Sequence, residues 1–415
     1  MELKPGYKIT EVGAIPEDWE VREIRSVCKL INGRGFKPFE WKTSGLPIIR
    51  IQNLNGSDEF NYFDGVCDPK LKVDSGQLLF AWSGSRGTSF GPHVWSGPPG
   101  LLNYHTWKVQ VSKSNIQPEF FFYALKKLTE FIEGRAHGAS ALVHTQKWEM
   151  EGFEFAAPVD SAEQHAIATV LSDVDALLGG LDRLIAKKRD LKQAAMQQLL
   201  SGQTRLPGFH GEWEVKTLVD LAQRKKELFD DGDWIESEHI TTDGIRLIQT
   251  GNIGVGNFIE KDEKKFIHEK SFRLLGCKQL QAGDLLVCRL ADPAGRACVL
   301  PDIGEERIVT SVDVTIFRPP HEIADRVFLA NVFSTPKWFR AVSNRSGGTT
   351  HKRISRGALG RICISLPPLA EQIEIAGALS DMDAEISALE ARRDKTRALK
   401  QGMMQELLTG RTRLV

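Results

Sequence analysis

The residues best suited to chemistry lie in loops that combine glycine with arginine, lysine, asparagine, glutamine and histidine. In the first half of the chain these loops are residues 83–88 and 137–147, and in the second half residues 289–296 and 344–353. Glycine lets a backbone approach a ligand closely, and these polar side chains can bind phosphates or hydrogen-bond to base edges. The loops therefore predict contacts with DNA.

The candidate DNA contacts come from these loops and from polar positions beside short apolar runs. They are Arg34, Gln52, Asn53, Ser85, Arg86, Ser140, His144, Gln146, Lys147, Gln249, Asn252, Arg289, Arg296, Arg345, Thr349, Thr350, His351, Lys352 and Arg353. For each of them a solvated surface position is the alternative interpretation, since surface loops are polar in most proteins.

Catalytic signatures are absent from the sequence. It contains no G-x-x-x-x-G-K-[ST] loop for a nucleotide, no Asn-Pro-Pro-aromatic motif for methyl transfer to adenine, and no H-E-x-x-H metal spacing. Asp302, Glu305 and Glu306 lie close together, but nothing near them completes a nuclease centre. We therefore expect a non-catalytic binding protein with no catalytic residues, metal site or cofactor of its own.

The charge balance weakens the DNA interpretation. Lys plus Arg and Asp plus Glu number 54 each, whereas binding to phosphates requires local positive potential. Any basic surface must therefore be a patch on a neutral molecule.

Length and composition indicate a folded, multidomain protein. A chain of 415 residues exceeds one ordinary domain, and 41% hydrophobic with 26% charged residues is typical of globular proteins. The six cysteines form no C-x-x-C pair, so we expect free thiols. No apolar run resembles a membrane span or a signal peptide, and we expect a cytoplasmic protein of a bacterium or archaeon.

An internal repeat is the strongest signal in the chain. Residues 158–206 align without a gap to residues 366–414, 208 positions later. Ala162-Glu163-Gln164 matches Ala370-Glu371-Gln372, and both copies end in Leu-Lys-Gln-x-x-Met-Gln-x-Leu-Leu-x-Gly-x-Thr-Arg-Leu. The segments that precede the two copies match only loosely. The organisation is thus a divergent segment and a nearly constant segment, each present twice.

The constant segments are predicted to be long helices. Proline marks the start of each segment, at Pro158 and at Pro367-Pro368, and Ser161 with Gln164 has the spacing of a capping box. Apolar residues recur at alternating intervals of three and four, which is typical of a coiled-coil seam. The seam residues, which we also expect to support subunit docking, are Leu171, Val174, Leu178, Leu181, Ile185, Leu379, Met382, Ile386 and Leu389. Antiparallel pairing of the two helices is expected; separate packing of each helix onto its own domain is the alternative.

The divergent segments are predicted to be mixed, β-rich modules, because short apolar runs are bounded by Gly, Asn, Asp and Ser. The fold class expected is α+β, with pseudo-twofold duplication. The predicted boundaries are residues 1–157 and 207–365 for the two recognition domains, with residues 158–206 and 366–415 for the two helices.

The chain resembles the specificity subunits of type I restriction-modification enzymes. The resemblance is carried by Pro16-Glu17-Asp18-Trp19, by Leu366-Pro367-Pro368-Leu369-Ala370-Glu371-Gln372 and by the repeated helix ending. It implies two target recognition domains that each bind half of a split double-stranded DNA site, and paired helices that fix the spacing. It also implies docking of methyltransferase subunits, two by expectation, through which endonuclease-translocase subunits join. S-adenosylmethionine, ATP and magnesium would then belong to those partners.

A different function class stays open at this point. A coiled-coil scaffold whose globular segments bind protein or glycan would share the same repeat, and the neutral charge favours it.

Overall fold

The computed structural model describes residues 5–114, 116–135, 142–348 and 352–414. The chain forms two compact units, of which the first comprises Met1–Asp182 with Ala391–Val415 and the second comprises Arg183–Glu390. Each unit therefore contains one globular segment together with parts of both constant segments.

The first unit is built on short strands. In chain order they are β1 (Tyr7–Thr10), β2 (Gly13–Pro16), β3 (Trp19–Glu23), β4 (Cys28–Asn32), β5 (Leu46–Ile49), β6 (Tyr62–Phe63), β7 (Lys72–Val73), β8 (Leu78–Ala81), β9 (Ser83–Ser85), β10 (Gly91–Val94), β11 (Gly100–Leu102), β12 (Thr106–Val111), β13 (Leu142–His144) and β14 (Glu154–Pro158).

The second unit has a similar set. Its strands are β15 (Glu214–Thr217), β16 (Phe229–Asp231), β17 (Ile240–Thr241), β18 (Ile245–Ile248), β19 (Lys265–Ile267), β20 (Leu285–Cys288), β21 (Ala297–Val299), β22 (Ile308–Thr310), β23 (Val314–Phe317) and β24 (Cys363–Leu366).

Two helices are much longer than the others. The α-helices are α1 (Ile24–Val27), α2 (Ile51–Leu54), α3 (Pro118–Arg135), α4 (Lys147–Gly152), α5 (Ser161–Leu199), α6 (Leu218–Leu221), α7 (Glu269–Leu275), α8 (Arg326–Val332), α9 (Pro336–Ser343), α10 (Arg356–Gly360) and α11 (Leu369–Leu407). The 39-residue helices α5 and α11 lie inside the predicted constant segments. Over the described ranges, no helix is both long and apolar enough to cross a membrane.

The two globular segments share one sheet topology. In the first unit an antiparallel sheet has the order β10-β8-β12-β4, and a second sheet, β6-β5-β11-β7, contains one parallel pair, β5 with β11. The second unit repeats the antiparallel sheet as β16-β23-β20-β21. Its other sheet, β17-β19-β18-β22, repeats the part β6-β5-β11 as β19-β18-β22 with β18 and β22 parallel, but differs at its edges, where β17 is added and a bridge between Leu280 and Ile308 takes the place of β7. The duplication seen in the sequence is thus a duplication of fold. The predicted α+β class with two β-rich domains is confirmed.

Buried apolar strands hold each unit together. Leu78–Ala81 in β8 and Leu285–Cys288 in β20 are buried at every position, as expected for a central strand covered on both faces. The beginning of a long helix closes each core, with Leu171 of α5 in the first unit and Leu379 of α11 in the second.

The start of α5 differs from the predicted capping box. Asp160 Oδ1 accepts from the backbone N–H of Ala162 at 2.8 Å, whereas Ser161 is already the first helical residue. The Gln164 side chain accepts from the N–H of Gln117 at 2.9 Å and donates to the carbonyl of Pro158 at 2.8 Å. The capping-box interpretation was therefore wrong, because a buried glutamine tying the helix to its domain has the same spacing.

The second long helix begins in the same way. Gln372 accepts from the N–H of Asp325 at 2.9 Å and donates to the carbonyl of Pro367 at 2.8 Å. Because both glutamines are almost fully buried, their hydrogen bonds fix how each helix leaves its domain.

The predicted apolar seam is shielded from solvent to different degrees. Fully buried members are Leu171, Leu181, Ile185, Leu379 and Ile386, and half-buried members are Val174, Leu178, Met382 and Leu389. By contrast, Leu177 and Leu184 on other faces of α5 are exposed.

Within each unit, the two long-helix segments run in opposite directions. In the first unit Asp175 pairs with Lys400 at 2.5 Å, and further along α5 Asp182 pairs with Arg393 at 3.7 Å. In the second unit Asp383 pairs with Lys192 at 2.5 Å, which is the same pair shifted by one repeat, and further along α11 Glu390 pairs with Arg189.

Candidate nucleic-acid interface

The polar loops predicted separately from the sequence adjoin in pairs. In the first unit Ser83–Ser85 pairs with Leu142–His144 as two antiparallel strands, so loops 83–88 and 137–147 meet. In the second unit Leu290 lies opposite Arg353 in an antiparallel bridge, so loops 289–296 and 344–353 meet.

A third chain segment crosses at the same place in each unit. In the first unit it is the turn between β11 and β12, where the N–H of Trp82 donates to the carbonyl of His105 at 3.2 Å. In the second unit it is the turn between β22 and β23, where the N–H of Arg289 donates to the carbonyl of Asp313 at 2.7 Å. The neighbouring loop is bonded to the same residue: in the first unit the N–H of Thr145 donates to the carbonyl of Trp82.

The matching bond in the second unit runs from the N–H of Ile354 to the Arg289 carbonyl at 3.1 Å. Because the same backbone hydrogen bonds occur in both units, they show which residues of the first unit correspond to which residues of the second. We call each set the crossing site: Trp82, Tyr104, His105 and His144 in the first unit, and Arg289, Val312, Asp313 and Arg353 in the second.

A glycine behind each crossing site allows the chains to approach. A Cβ on Gly33 would lie 1.9 Å from the carbonyl oxygen of Asn103, and one on Gly232 would lie 2.4 Å from that of Ser311. Since such distances are sterically forbidden, the backbone crossing requires glycine at both positions.

The crossing site of the first unit is aromatic. The Trp82 indole donates to the carbonyl of Tyr104 at 3.0 Å and stacks on Trp107 with ring centroids 6.0 Å apart. The His105 ring lies 3.7 Å from the Tyr104 ring, centroid to centroid, and desolvation lowers the pKa of this imidazole. The lowered pKa favours the neutral imidazole of His105, and Tyr104 is 47% exposed.

The crossing site of the second unit is ionic. Arg289 is 4% exposed; its Nε lies 3.0 Å from Asp231 and its Nη2 donates to the carbonyl of Val312 at 2.5 Å. Arg353 pairs with Asp313 at 2.9 Å, and its side chain is 49% exposed. An open cleft of about 720 Å³ is lined by Arg289 and Arg353, together with Gly347, Gly348 and Arg356.

Several predicted contact residues instead hold loops in place. Asn53 and Asn252 are buried, and each accepts from the backbone N–H three residues earlier at 3.0 Å. Their amides donate to backbone carbonyls, those of Ser57 and Glu59 for Asn53 and that of Ile259 for Asn252. These asparagines and the buried Arg289 are engaged within their domains, so in this conformation their side chains are not presented to DNA.

Other predicted residues lie on the surface to varying degrees. Exposed ones are Gln52, Arg86, His144, Gln146, Arg345, Lys352 and Arg353. Half-buried ones are Arg34, Ser85, Lys147, Gln249 and Arg296, of which Arg34 pairs with Glu40 and packs over Phe36 and Phe63. Ser140, Thr349, Thr350 and His351 lie outside the described residues.

Sequence reasoning missed the turns between β11 and β12 and between β22 and β23. His105 and Asp313 are separated by the 208 positions that separate the two constant segments, so extending the repeat alignment would have matched them. The turns carry no glycine-rich or basic signature, which is why composition alone did not reveal them.

Across the described ranges, no group of three or more His, Cys, Asp or Glu side chains could hold a metal ion.

Comparison with known families identifies the repeat. The model of the type I restriction modification DNA specificity domain matches residues 16–186 and again residues 210–397. The two matches follow the duplication and together span most of the chain.

Curated relatives match over almost the full length. The type I restriction enzyme MjaVIII specificity subunit of Methanocaldococcus jannaschii is 25% identical over 96% of this chain and 94% of its own. The type I restriction enzyme EcoBI specificity subunit of Escherichia coli is 22% identical over 95% of this chain and 85% of its own.

Solved structures share the fold at low sequence identity. The crystal structure of a type I restriction-modification S subunit from M. genitalium superposes with a TM-score of 0.60 at 16% identity and covers 98% of both chains. A chain from a structural study of type I complex assembly and conformational transition has a TM-score of 0.58 at 14% identity, covering 95% of this chain and 99% of that one.

Proposed function

The chain belongs to the type I restriction modification DNA specificity family, and from this we propose that it provides the DNA sequence specificity of a type I restriction-modification complex. The observation that carries the proposal is the crossing site. The same backbone framework occurs in both units, whereas the side chains at its surface differ completely. A framework kept constant while its surface residues diverge is what a pair of recognition domains with two targets requires.

In this proposal each domain contacts one half of a bipartite double-stranded site. Phosphate contacts would set the register and contacts to base edges would select the sequence. The exposed basic side chains Arg345 and Lys352 in the second unit supply local positive charge on a chain of zero net charge. The neutral composition is therefore compatible with a local DNA-binding patch.

The long helices would set the distance between the half-sites and dock the partners. We infer an antiparallel coiled coil formed by α5 and α11, supported by the oppositely directed segments within each unit. Half-sites read from one face of DNA are about 34 Å apart, and a 39-residue helix spans roughly 60 Å at ~1.5 Å per residue. Methyltransferase subunits, two by expectation, and through them endonuclease subunits would bind here. These partners would carry S-adenosylmethionine, ATP and magnesium.

The test is selection from random DNA with the chain bound to its methyltransferase partner. The proposal expects enrichment of a split motif, with binding that weakens steeply as salt rises. Mapping of methylated bases in cells that carry the complete system should return the same motif. The methyltransferase without this chain is the control, and selection of no motif by the complex would contradict the proposal.

A further inference from the structure

The two crossing sites occupy equivalent positions but carry different side chains, aromatic in the first unit and ionic in the second. Trp82, Tyr104, His105 and His144 in the first unit correspond to Arg289, Val312, Asp313 and Arg353 in the second. The correspondence is set by backbone hydrogen bonds, because the N–H of Trp82 or Arg289 donates to the crossing turn and its carbonyl accepts from the neighbouring loop. Only the side chains distinguish the two sites.

We propose that these equivalent positions determine specificity, and that Arg353, positioned by Asp313, recognises a guanine in the half-site bound by the second unit. This inference rests on the proposed function and specifies the residues that would carry it.

The geometry around Arg353 supports a base contact. One guanidinium nitrogen is held by Asp313 at 2.9 Å, while the side chain is 49% exposed beside the open cleft. A guanidinium carries five N–H donors in one plane, so an ion pair through one nitrogen leaves donors for another acceptor. A guanidinium presented in this way matches the O6 and N7 acceptors of guanine in the major groove, which form the commonest specific contact of arginine.

The buried residues beneath Arg353 make this position rigid. Arg289 pairs with Asp231 and donates to the carbonyls of Val312 and Ile354. These two residues are the sequence neighbours of Asp313 and Arg353. Arg289 therefore braces both partners of the exposed ion pair. Its counterpart Trp82 donates to the carbonyl of Tyr104 and contacts the ring of His105.

The first unit should accordingly select different bases. Tyr104 is exposed next to His105, and exposed His144 stands where the second unit has Arg353. This site has no guanidinium fork, so the half-site of the first unit would be read by aromatic and imidazole contacts.

The experiment compares the motifs selected by complexes that contain the wild-type chain, Arg353→Gln, Arg353→Lys or Tyr104→Ala. Arg353→Gln should relax one guanine position in one half-site and lower affinity for the wild-type site by about 10- to 100-fold. Arg353→Lys keeps the positive charge but lacks the planar pair of N–H donors, so selectivity for the same guanine should be lost. Tyr104→Ala should alter only the other half-site. Arg340→Gln, which removes an exposed arginine of α9, is the control and should leave both half-sites unchanged.

Each failure has its own signature. If Arg353→Gln weakens binding to all sequences equally and lowers the salt dependence by about one ion, Arg353 binds a phosphate and the inference is overturned. An unchanged motif would overturn it as well. If the wild-type complex selects no split motif, the proposed function itself fails. Thermal unfolding of each variant shows whether it has kept its fold.

Discussion

Arg413 Nε lies 2.5 Å from Glu163 Oε1, joining the segment that follows α11 to the first turn of α5. The Glu163 side chain is only 1% exposed, and it also accepts from the Trp19 indole at 3.1 Å. The second unit contains the same pair, Arg205 with Glu371 at 2.5 Å. The strict repetition of Ala-Glu-Gln and Thr-Arg-Leu in the sequence therefore has a structural cause: a buried carboxylate that needs its cation.

Replacing this cation should destabilise the protein. Arg413→Ala leaves the buried Glu163 carboxylate without its guanidinium, so we expect the free energy of unfolding to fall by about 3–5 kcal/mol. Denaturant unfolding measures the loss. Arg411→Ala is the matched control, because Arg411 pairs with Glu406 on the surface at 3.6 Å and should cost no more than about 1 kcal/mol. Equal losses for the two variants would contradict this account.

Lys127 should make stability depend on pH. Burial lowers the pKa of this ammonium from 10.5 to about 8, and its Nζ donates to the carbonyl of Leu408 at 3.2 Å. Between these two values the unfolded chain binds more protons than the folded one, so the free energy of unfolding should rise with pH from 8 to 10.5.

In the variant Lys127→Met, the rise in the free energy of unfolding between pH 8 and 10.5 should be absent. At pH 7 the variant should also be more stable than the wild type, by at most about 3 kcal/mol, because the cost of burying a charge disappears. Denaturant unfolding measured as a series across pH 7 to 10.5 gives the difference curve. Exposed Lys113→Met should follow the wild type, and a Lys127→Met curve parallel to the wild type would exclude the effect.

A charge in the helix seam should disrupt assembly. Leu181 is 5% exposed, so Leu181→Asp places an unpaired carboxylate at a buried position and costs several kcal/mol. We expect loss of the methyltransferase complex on a sizing column and loss of site-specific methylation. Leu184→Asp alters a leucine that is 39% exposed on the same helix and should have little effect. Full methylation by Leu181→Asp would show that the seam does not support docking.

The glycine behind the crossing site should not tolerate a side chain. Gly33→Ala places a methyl group 1.9 Å from the Asn103 carbonyl oxygen, so the crossing segment must move. The free energy of unfolding of the first unit should therefore fall by about 2 kcal/mol or more. Gly180→Ala in α5 meets no atom within 4 Å and should stabilise the helix by about 0.5–1 kcal/mol. In thermal unfolding, Gly33→Ala should lower the melting temperature and Gly180→Ala should raise it.

The sequence by itself determined the duplication, the presence of the two long helices and the β-rich character of the divergent segments. These features depend on local periodicity and on direct similarity between residues 208 positions apart, and both can be read along the chain. The absence of nucleotide, methyl-transfer and metal motifs could be read in the same way.

Only the tertiary structure decided which polar residues hold loops and which face solvent. Asn53 and Asn252 look like surface residues in sequence but are consumed by backbone hydrogen bonds, because burial depends on the strands that fold over them. Likewise, nothing local joins Asp313 to Arg353. Their pairing arises because strand topology brings the β22–β23 turn beneath a loop forty residues further along the chain.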